Sequence, residues 1–436
     1  MALLVALPVL RNGFVMEENN VVLVGNQAIR SLASIPRFFA GPWVGGFNNL
    51  GYYRPLAGTL YTLEYALFGL HSVGWHLVSV LLYAATSALT ALVCARIARS
   101  PVAAAVGGLL FAVLPVHVEA FAMVGYQTTL LAGLLSAAAL LAFGRVLKEG
   151  PTPRTLLLLG LACTGALLSK EEAFAMPLLA LAWALVERPP GWRRAVVAAL
   201  AVLVPCAGAV LLLRALTLAP IAVTFFGDAP RATVIRTMLR TVPLDLELLL
   251  VPLRLCPFYD WFIVPFEDHL SAQVAFGLAI VVALAVAIAA TVKRAPPVAI
   301  GLLWLPIGLL PVLQLVPFIV VAADRFLFIP SFGLALAAGA LAVRARPGRI
   351  ALVLMGLVLA LYATRSALRI PDWHDDRTLN EATAAAFPET PTPLLNLAQY
   401  YEARGELAAA RQSLDEAARR APGWDVPRNR LAKLKP

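Results

Sequence analysis

From Trp75 almost to Arg365 the chain returns repeatedly to apolar stretches of bilayer length, and no other feature constrains its fold so tightly. A helix of roughly 20 apolar residues crosses about 30 Å of hydrocarbon. In that medium the backbone must satisfy its own hydrogen bonds, so such stretches fold as helices. Spans are predicted near 75–97, 101–116, 128–144, 155–168, 173–186, 195–213, 271–292, 298–318, 326–343 and 350–364. Residues 2–10, ALLVALPVL, are too short to span and lack a signal-peptide cleavage site. They read as the end of a first helix with a truncated start, which brings the expected count to eleven. Composition agrees, with 60% hydrophobic and 14% charged residues against about 25% charged in a soluble domain.

The formal charge of +10 resides in short clusters between apolar segments: Arg96 and Arg99; Arg145, Lys148 and Arg154; Arg188, Arg193 and Arg194; Lys293 and Arg294; Arg344, Arg346 and Arg349. The positive-inside bias explains this placement, so the basic balance is no sign of nucleic acid. If these loops are cytoplasmic, eleven crossings put the N-terminus inside and the C-terminus outside. Residues 12–74 and 215–270 are then outer segments. Within the second, ATVIRTMLRTVPLDLELLLVPLRL carries Arg236, Arg240, Asp245, Glu247 and Arg254, too many charges for lipid, and is expected to lie along the interface. Cys94, Cys163, Cys206 and Cys256 stand singly in apolar segments and read as core packing.

After Arg365 the sequence turns polar. From Pro391, residues Leu397, Ala398, Tyr401, Gly405, Ala410, Leu414, Ala417 and Pro422 fit one 34-residue tetratricopeptide repeat (TPR). The division predicted is a membrane domain over 1–368, a linker over 369–390 and a single helical hairpin with its tail over 391–436. One repeat cannot bury its own face, so it must dock on the membrane domain or on a partner.

The outer-side charges ask for another explanation than topology. They include Glu17, Glu18, Arg54, His117, Glu119, Lys170, Glu171, Glu172, Asp324 and Arg325, drawn from four loops. Carboxylates and cations converging at one membrane face suit a base that takes a hydroxyl proton while cations hold a phosphate leaving group. No Walker loop, HExxH zinc motif or GxSxG elbow is present. Each residue also has a plain reading: Glu17 and Glu18 as a solvated pair, His117 and Glu119 as helix-end hydrogen bonders, Lys170 and Glu171 as turn residues, Arg325 as a snorkelling side chain. A transporter would place paired charges near the midplane of its helices, whereas these lie at helix ends. A noncatalytic scaffold presenting its repeat to a protein partner is the main alternative to an enzyme.

Several phrases together resemble one family: NGFVMEEN, YYRPL, GLHSVGWHLVSVLLY, LPVHVEAFAMVGY, LLSKEEA, DRFLFIPSFG and DWHDDRTLNEA. They are similar in order and spacing to the transmembrane and tetratricopeptide-repeat O-mannosyltransferases and their bacterial relatives, of the GT-C glycosyltransferase superfamily. The resemblance implies an all-α polytopic membrane protein, a GT-C-like bundle of about eleven helices with a large first outer loop. It implies inverting transfer of a sugar from a polyprenyl-phosphate donor to a protein or other acceptor on the outer face of a bacterial inner membrane. No other cofactor is implied, and a divalent metal requirement is left open. An acidic residue of the first outer loop would be the base, which maps onto Glu17 and Glu18, though relatives usually have two aspartates there. Arg54, His117, Glu119, Lys170, Glu171 and Arg325 match family positions expected to bind substrate. Tyr126, Gln127 and Thr128 depart from a pattern in which a basic residue precedes an aspartate.

Overall fold

The computed structural model describes residues 1–16, 20–44, 52–218 and 224–434, and among them every regular element is a helix. By length and apolarity five helices can cross a bilayer alone: Ser72–Ala98, Val124–Glu149, Trp192–Thr217, Ala272–Val292 and Arg349–Trp373. The bent pair Pro101–Val113 and Pro115–Ala122 makes a sixth. Ala2–Arg11, Pro153–Leu167, Pro296–Val312 and Pro330–Ala345 are apolar but shorter, and Met176–Glu187 has 12 residues. The eleven predicted stretches are thus helical, with several shorter than a full crossing. Proline is the reason. It opens Pro153–Leu167 and Pro330–Ala345, and Pro306 lies inside Pro296–Leu309, whose α-helical ladder stops three residues later.

At the basic end the helices stop in a common way. Arg99, Arg188 and Arg346 each take a left-handed C-cap conformation, with φ of 52°, 45° and 44°. A cation there complements the negative helix terminus. Inside the bundle, small residues let helices touch backbone to backbone. A Cβ on Gly301 would lie 2.5 Å from Ala337 N, and one on Gly333 would lie 2.4 Å from Gly301 O, so Pro296–Leu309 and Pro330–Ala345 pack without intervening side chains.

The charged stretch expected at the interface forms Arg231–Leu250, which packs on Ala272–Val292 through the close approach of Gly277 to the Leu239 carbonyl. Its cations turn to a neighbouring loop: Arg236 donates to the Glu267 carbonyl at 2.9 Å, and Arg240 pairs with the Glu267 side chain.

Residues 369–390, expected as a linker, carry helix Asp376–Ala386, started by an Asp375–Thr378 capping box. It packs on the hairpin Thr392–Ala403 and Leu407–Arg420, where Asn396 donates to Asn380 at 3.0 Å. Gly405, at φ 76°, makes the hairpin turn, and Leu397, Ala398, Leu414 and Ala417 form its core. The hairpin is seated on the loop before Ala272–Val292. Asp260 accepts from Thr390 and Thr392 at 2.5 Å each, and Trp424 packs on Trp261 and Phe262.

The same C-terminal segment grips the start of the chain. Asn12 donates to the Ile370 carbonyl at 3.0 Å, Gly13 N–H to the His374 carbonyl at 2.9 Å, and Met16 N–H to the Asp376 carboxylate.

Candidate active site

The site begins with a broken helix. Proline disfavours α geometry in the residue before it, and Leu114, before Pro115, is extended at ψ 121°. The chain bends by 54° between Pro101–Val113 and Pro115–Ala122. Beyond the bend, His117 and Glu119 point to different surroundings. His117 Nε2 is 2.8 Å from Ser331 Oγ, and its Nδ1 is 3.0 Å from the Phe111 carbonyl and 3.2 Å from Tyr83 Oη. The rings of Phe111, Tyr83 and Phe328 surround it. Both nitrogens are engaged in helix packing, so His117, expected to bind substrate, is not among the gathered charges. Two positions apart across a helix start, side chains do not share a face.

Glu119 meets Arg325 instead. One carboxylate oxygen faces the guanidinium at 2.5 Å and the other accepts the Arg325 backbone N–H at 2.7 Å, with the two side chains 0% and 6% exposed. Arg325 lies on a 3-10 turn, Asp324–Leu327, just before Pro330–Ala345. The Tyr126 ring lies 4.2 Å from its guanidinium carbon, a cation–π contact. Tyr126 therefore occupies the departing turn as a support for this cation.

Lys170 and Glu171 follow Pro153–Leu167 and face apart. Lys170 Nζ contacts Glu172 at 2.6 Å and donates to Thr129 Oγ1 at 2.7 Å. Burial pushes its ammonium below the ordinary lysine value; Glu172 opposes that shift, while the Arg54 and Arg325 charges add to it. The Tyr126 ring that lies against Arg325 is also 5.8 Å from Lys170 Nζ, and Arg54 pairs with the next residue, Glu171, which gathers the three cations. Glu171 takes Arg54 in a forked contact, at 3.0 Å from Nε and 2.7 Å from the terminal nitrogen. Glu171 is also the more open of the acids, 35% exposed.

Asp324 extends the cluster. It accepts from Tyr259 Oη at 2.6 Å, and burial, reinforced by the Glu119 charge, pushes its carboxyl up to about 8 while Arg369 resists the shift. Arg369 in turn pairs with Asp372 at 2.9 Å, inside the segment that grips residues 12–16. Glu17 and Glu18 themselves lie outside the described residues.

Of the substrate-binding residues predicted, Arg54, Glu119, Lys170, Glu171 and Arg325 come together and His117 does not. Tyr126, Thr129, Tyr259 and Arg369 were not predicted members. Only a polar or aromatic residue beside an apolar boundary marked them, as Tyr259 in PFYDWF. Among the described residues no three His, Cys, Asp or Glu side chains are grouped to hold a metal ion. The four cysteines are free, three of them buried.

Fold and site define a polytopic helical membrane protein with a buried charge cluster toward the helix ends away from its basic loops. Thr129 and Lys148 stand on one helix 19 residues apart, or about 28 Å. Residues 54–216, which supply every predicted substrate-binding residue except Arg325, match the family described as dolichyl-phosphate-mannose-protein mannosyltransferase. Protein O-mannosyl-transferase Tmtc1 of Drosophila melanogaster is 31% identical over 183 residues, 41% of this chain. The match spans 21% of the length of that relative. The crystal structure of ArnT from Cupriavidus metallidurans bound to undecaprenyl phosphate is 17% identical and covers 97% of this chain and 73% of its own, with a TM-score of 0.44.

Proposed function

We propose that the protein is an inverting GT-C-type glycosyltransferase, which moves a sugar from a polyprenyl-phosphate donor to a hydroxyl of a protein or glycan on the extracytoplasmic face of a bacterial inner membrane. The observation that carries this reading is the cluster itself: Arg54, Lys170 and Arg325, from three separate loops, share one largely buried site. Burying charge is costly, and a phosphate leaving group is a ligand for which three fixed cations are worth that cost. The N-terminus is cytoplasmic in this reading, and the C-terminal hairpin lies outside, where a protein partner can reach its free face.

Glu17 or Glu18 takes the proton from the acceptor hydroxyl as its oxygen bonds to the anomeric carbon. The bond from that carbon to the phosphate oxygen breaks, and the polyprenyl phosphate leaves with its charge against the cations. The other glutamate orients a donor or acceptor hydroxyl. Arg54 is the cation best placed to exchange its carboxylate for phosphate, because its partner Glu171 is the more exposed one.

The test is donor turnover by purified protein, with mass spectrometry of the products over a panel of polyprenyl-phosphate sugars. Glu17→Gln or Glu18→Gln should lower transfer by about 10²- to 10⁴-fold, with donor binding retained. A double glutamine variant that transfers at the parental rate would remove the pair from the mechanism. The scaffold reading draws on one observation: each of the three cations already has a carboxylate partner. Unaltered protein that releases no sugar from any donor would favour it.

A further inference from the structure

We propose that a groove toward the basic-loop end of the bundle, remote from the charge cluster, is a binding site for an anionic phospholipid. It lies between helices Pro153–Leu167 and Trp192–Thr217 and has a volume of about 550 Å³. Pro151, Leu156, Val197, Ala198 and Ala201 form its apolar lining, and Arg193 and Arg194 are its two charged residues.

Three observations select the occupant. Both arginines are exposed, as is Arg154 in the first turn of the facing helix. Among the described residues none of the three pairs with a carboxylate, and the nearby acids are engaged elsewhere: Glu149 is 3.8 Å from Arg96, and Glu187 is 2.6 Å from Arg99. Beyond the arginines the groove is lined by Leu156, Val197 and the small side chains of Ala198 and Ala201, and Leu157, Leu161 and Val204 of the same two helices are exposed. A soluble anion has no use for such an apolar lining, and a zwitterionic lipid brings no net charge for the arginines. A phosphate headgroup with net negative charge and acyl chains satisfies both halves of the site.

Each arginine near a headgroup favours an anionic lipid by about fivefold, or about thirtyfold for the pair. The experiment titrates delipidated, detergent-purified protein with phosphatidylglycerol and with phosphatidylcholine of the same acyl chains, and reads bound lipid by native mass spectrometry. Phosphatidylglycerol should bind preferentially. The double variant Arg193→Gln/Arg194→Gln should weaken it about thirtyfold, while Arg344→Gln/Arg346→Gln, which removes basic residues of another loop, should leave it unchanged. Equal affinity for the two lipids overturns the proposal, as does undiminished binding to the Arg193/Arg194 variant. Equal weakening by both double variants also overturns it, because surface charge would then suffice. Displacement of phosphatidylglycerol by a polyprenyl phosphate at far lower concentration, lost with Arg193 and Arg194, would make the groove a carrier-lipid site and overturn the assignment too.

Discussion

Arg325–Glu119 in the bundle and Arg377–Glu381 on the C-terminal helices are both close pairs, at 2.5 and 2.8 Å, but the first is 6% and 0% exposed and the second 54% and 44%. In water a pair gains little, because solvent already stabilises each charge. Out of water the attraction is larger, yet it must offset the loss of two hydration shells, and apolar residues of the same volume often do as well. Exposed pairs on the C-terminal helices thus follow from a charged surface, whereas buried pairs in the bundle call for a use beyond stability. The Arg325–Glu119 pair is a costly one kept where the chemistry is proposed, and Arg377–Glu381 an inexpensive one on a helix whose surface only needs solubility.

The largest expected effect comes from breaking a buried pair. Arg325→Ala strands Glu119 and should destabilise the protein by about 3–5 kcal/mol, read as a fall in thermal unfolding temperature in detergent, with transfer lost. Replacing both partners, Glu119→Leu with Arg325→Met, should recover most of that stability and none of the transfer. A double variant as unstable as Arg325→Ala would mean that the pair holds the fold, and the contrast between the two regions would fail.

Next comes the pH response of Asp324. Its carboxyl is raised from 3.8 to about 8 in the folded protein, so the folded state binds the extra proton. The stability this contributes is complete below about pH 4 and is lost as pH rises through 8. Unfolding temperatures should therefore fall from pH 5 to pH 8.5 in the parent more than in Asp324→Asn. Parallel profiles would show that burial does not govern this carboxyl.

Seating of the hairpin should respond less. Asp260→Ala removes the acceptor shared by Thr390 and Thr392, and a hydrogen bond to a charged group contributes about 1.5–3 kcal/mol. Limited proteolysis between residues 386 and 392 should accelerate severalfold while the hairpin stays helical. Unchanged cleavage would shift the seating to Trp424 and its aromatic neighbours. Smallest of all is Arg377→Ala, expected to leave the unfolding temperature almost unchanged and to matter still less in high salt; a fall as large as that of Arg325→Ala would place this exposed pair in the class of the buried ones.

Helix positions were legible because hydropathy marks them directly, and the repeat because its small and large residues recur at fixed spacing. Helix lengths were less so: Pro115 and Pro306 cut predicted spans, and the bend at Leu114 is what carries Glu119 inward. The ion-pair partners were not legible at all. Glu119 and Arg325 are 206 positions apart, and nothing in either local sequence encodes the other. His117 shares a short phrase with Glu119, and only the three-dimensional course of the chain separates their surroundings. Tyr126, a departure from the family pattern in sequence, became intelligible once its ring was found against Arg325.

The bonds from residues 12–16 to Ile370, His374 and Asp376 join positions about 360 apart along the chain. At a synthesis rate of about 5–20 residues per second, roughly 20–70 s separate the ribosome's delivery of the two halves of that clasp. Throughout this interval the backbone leading to the two glutamates lacks these three bonds and is held by earlier partners, His76 against the Gly13 carbonyl and Trp75 against Phe14. The clasp beside the proposed base is thus closed last, after every membrane helix has been made.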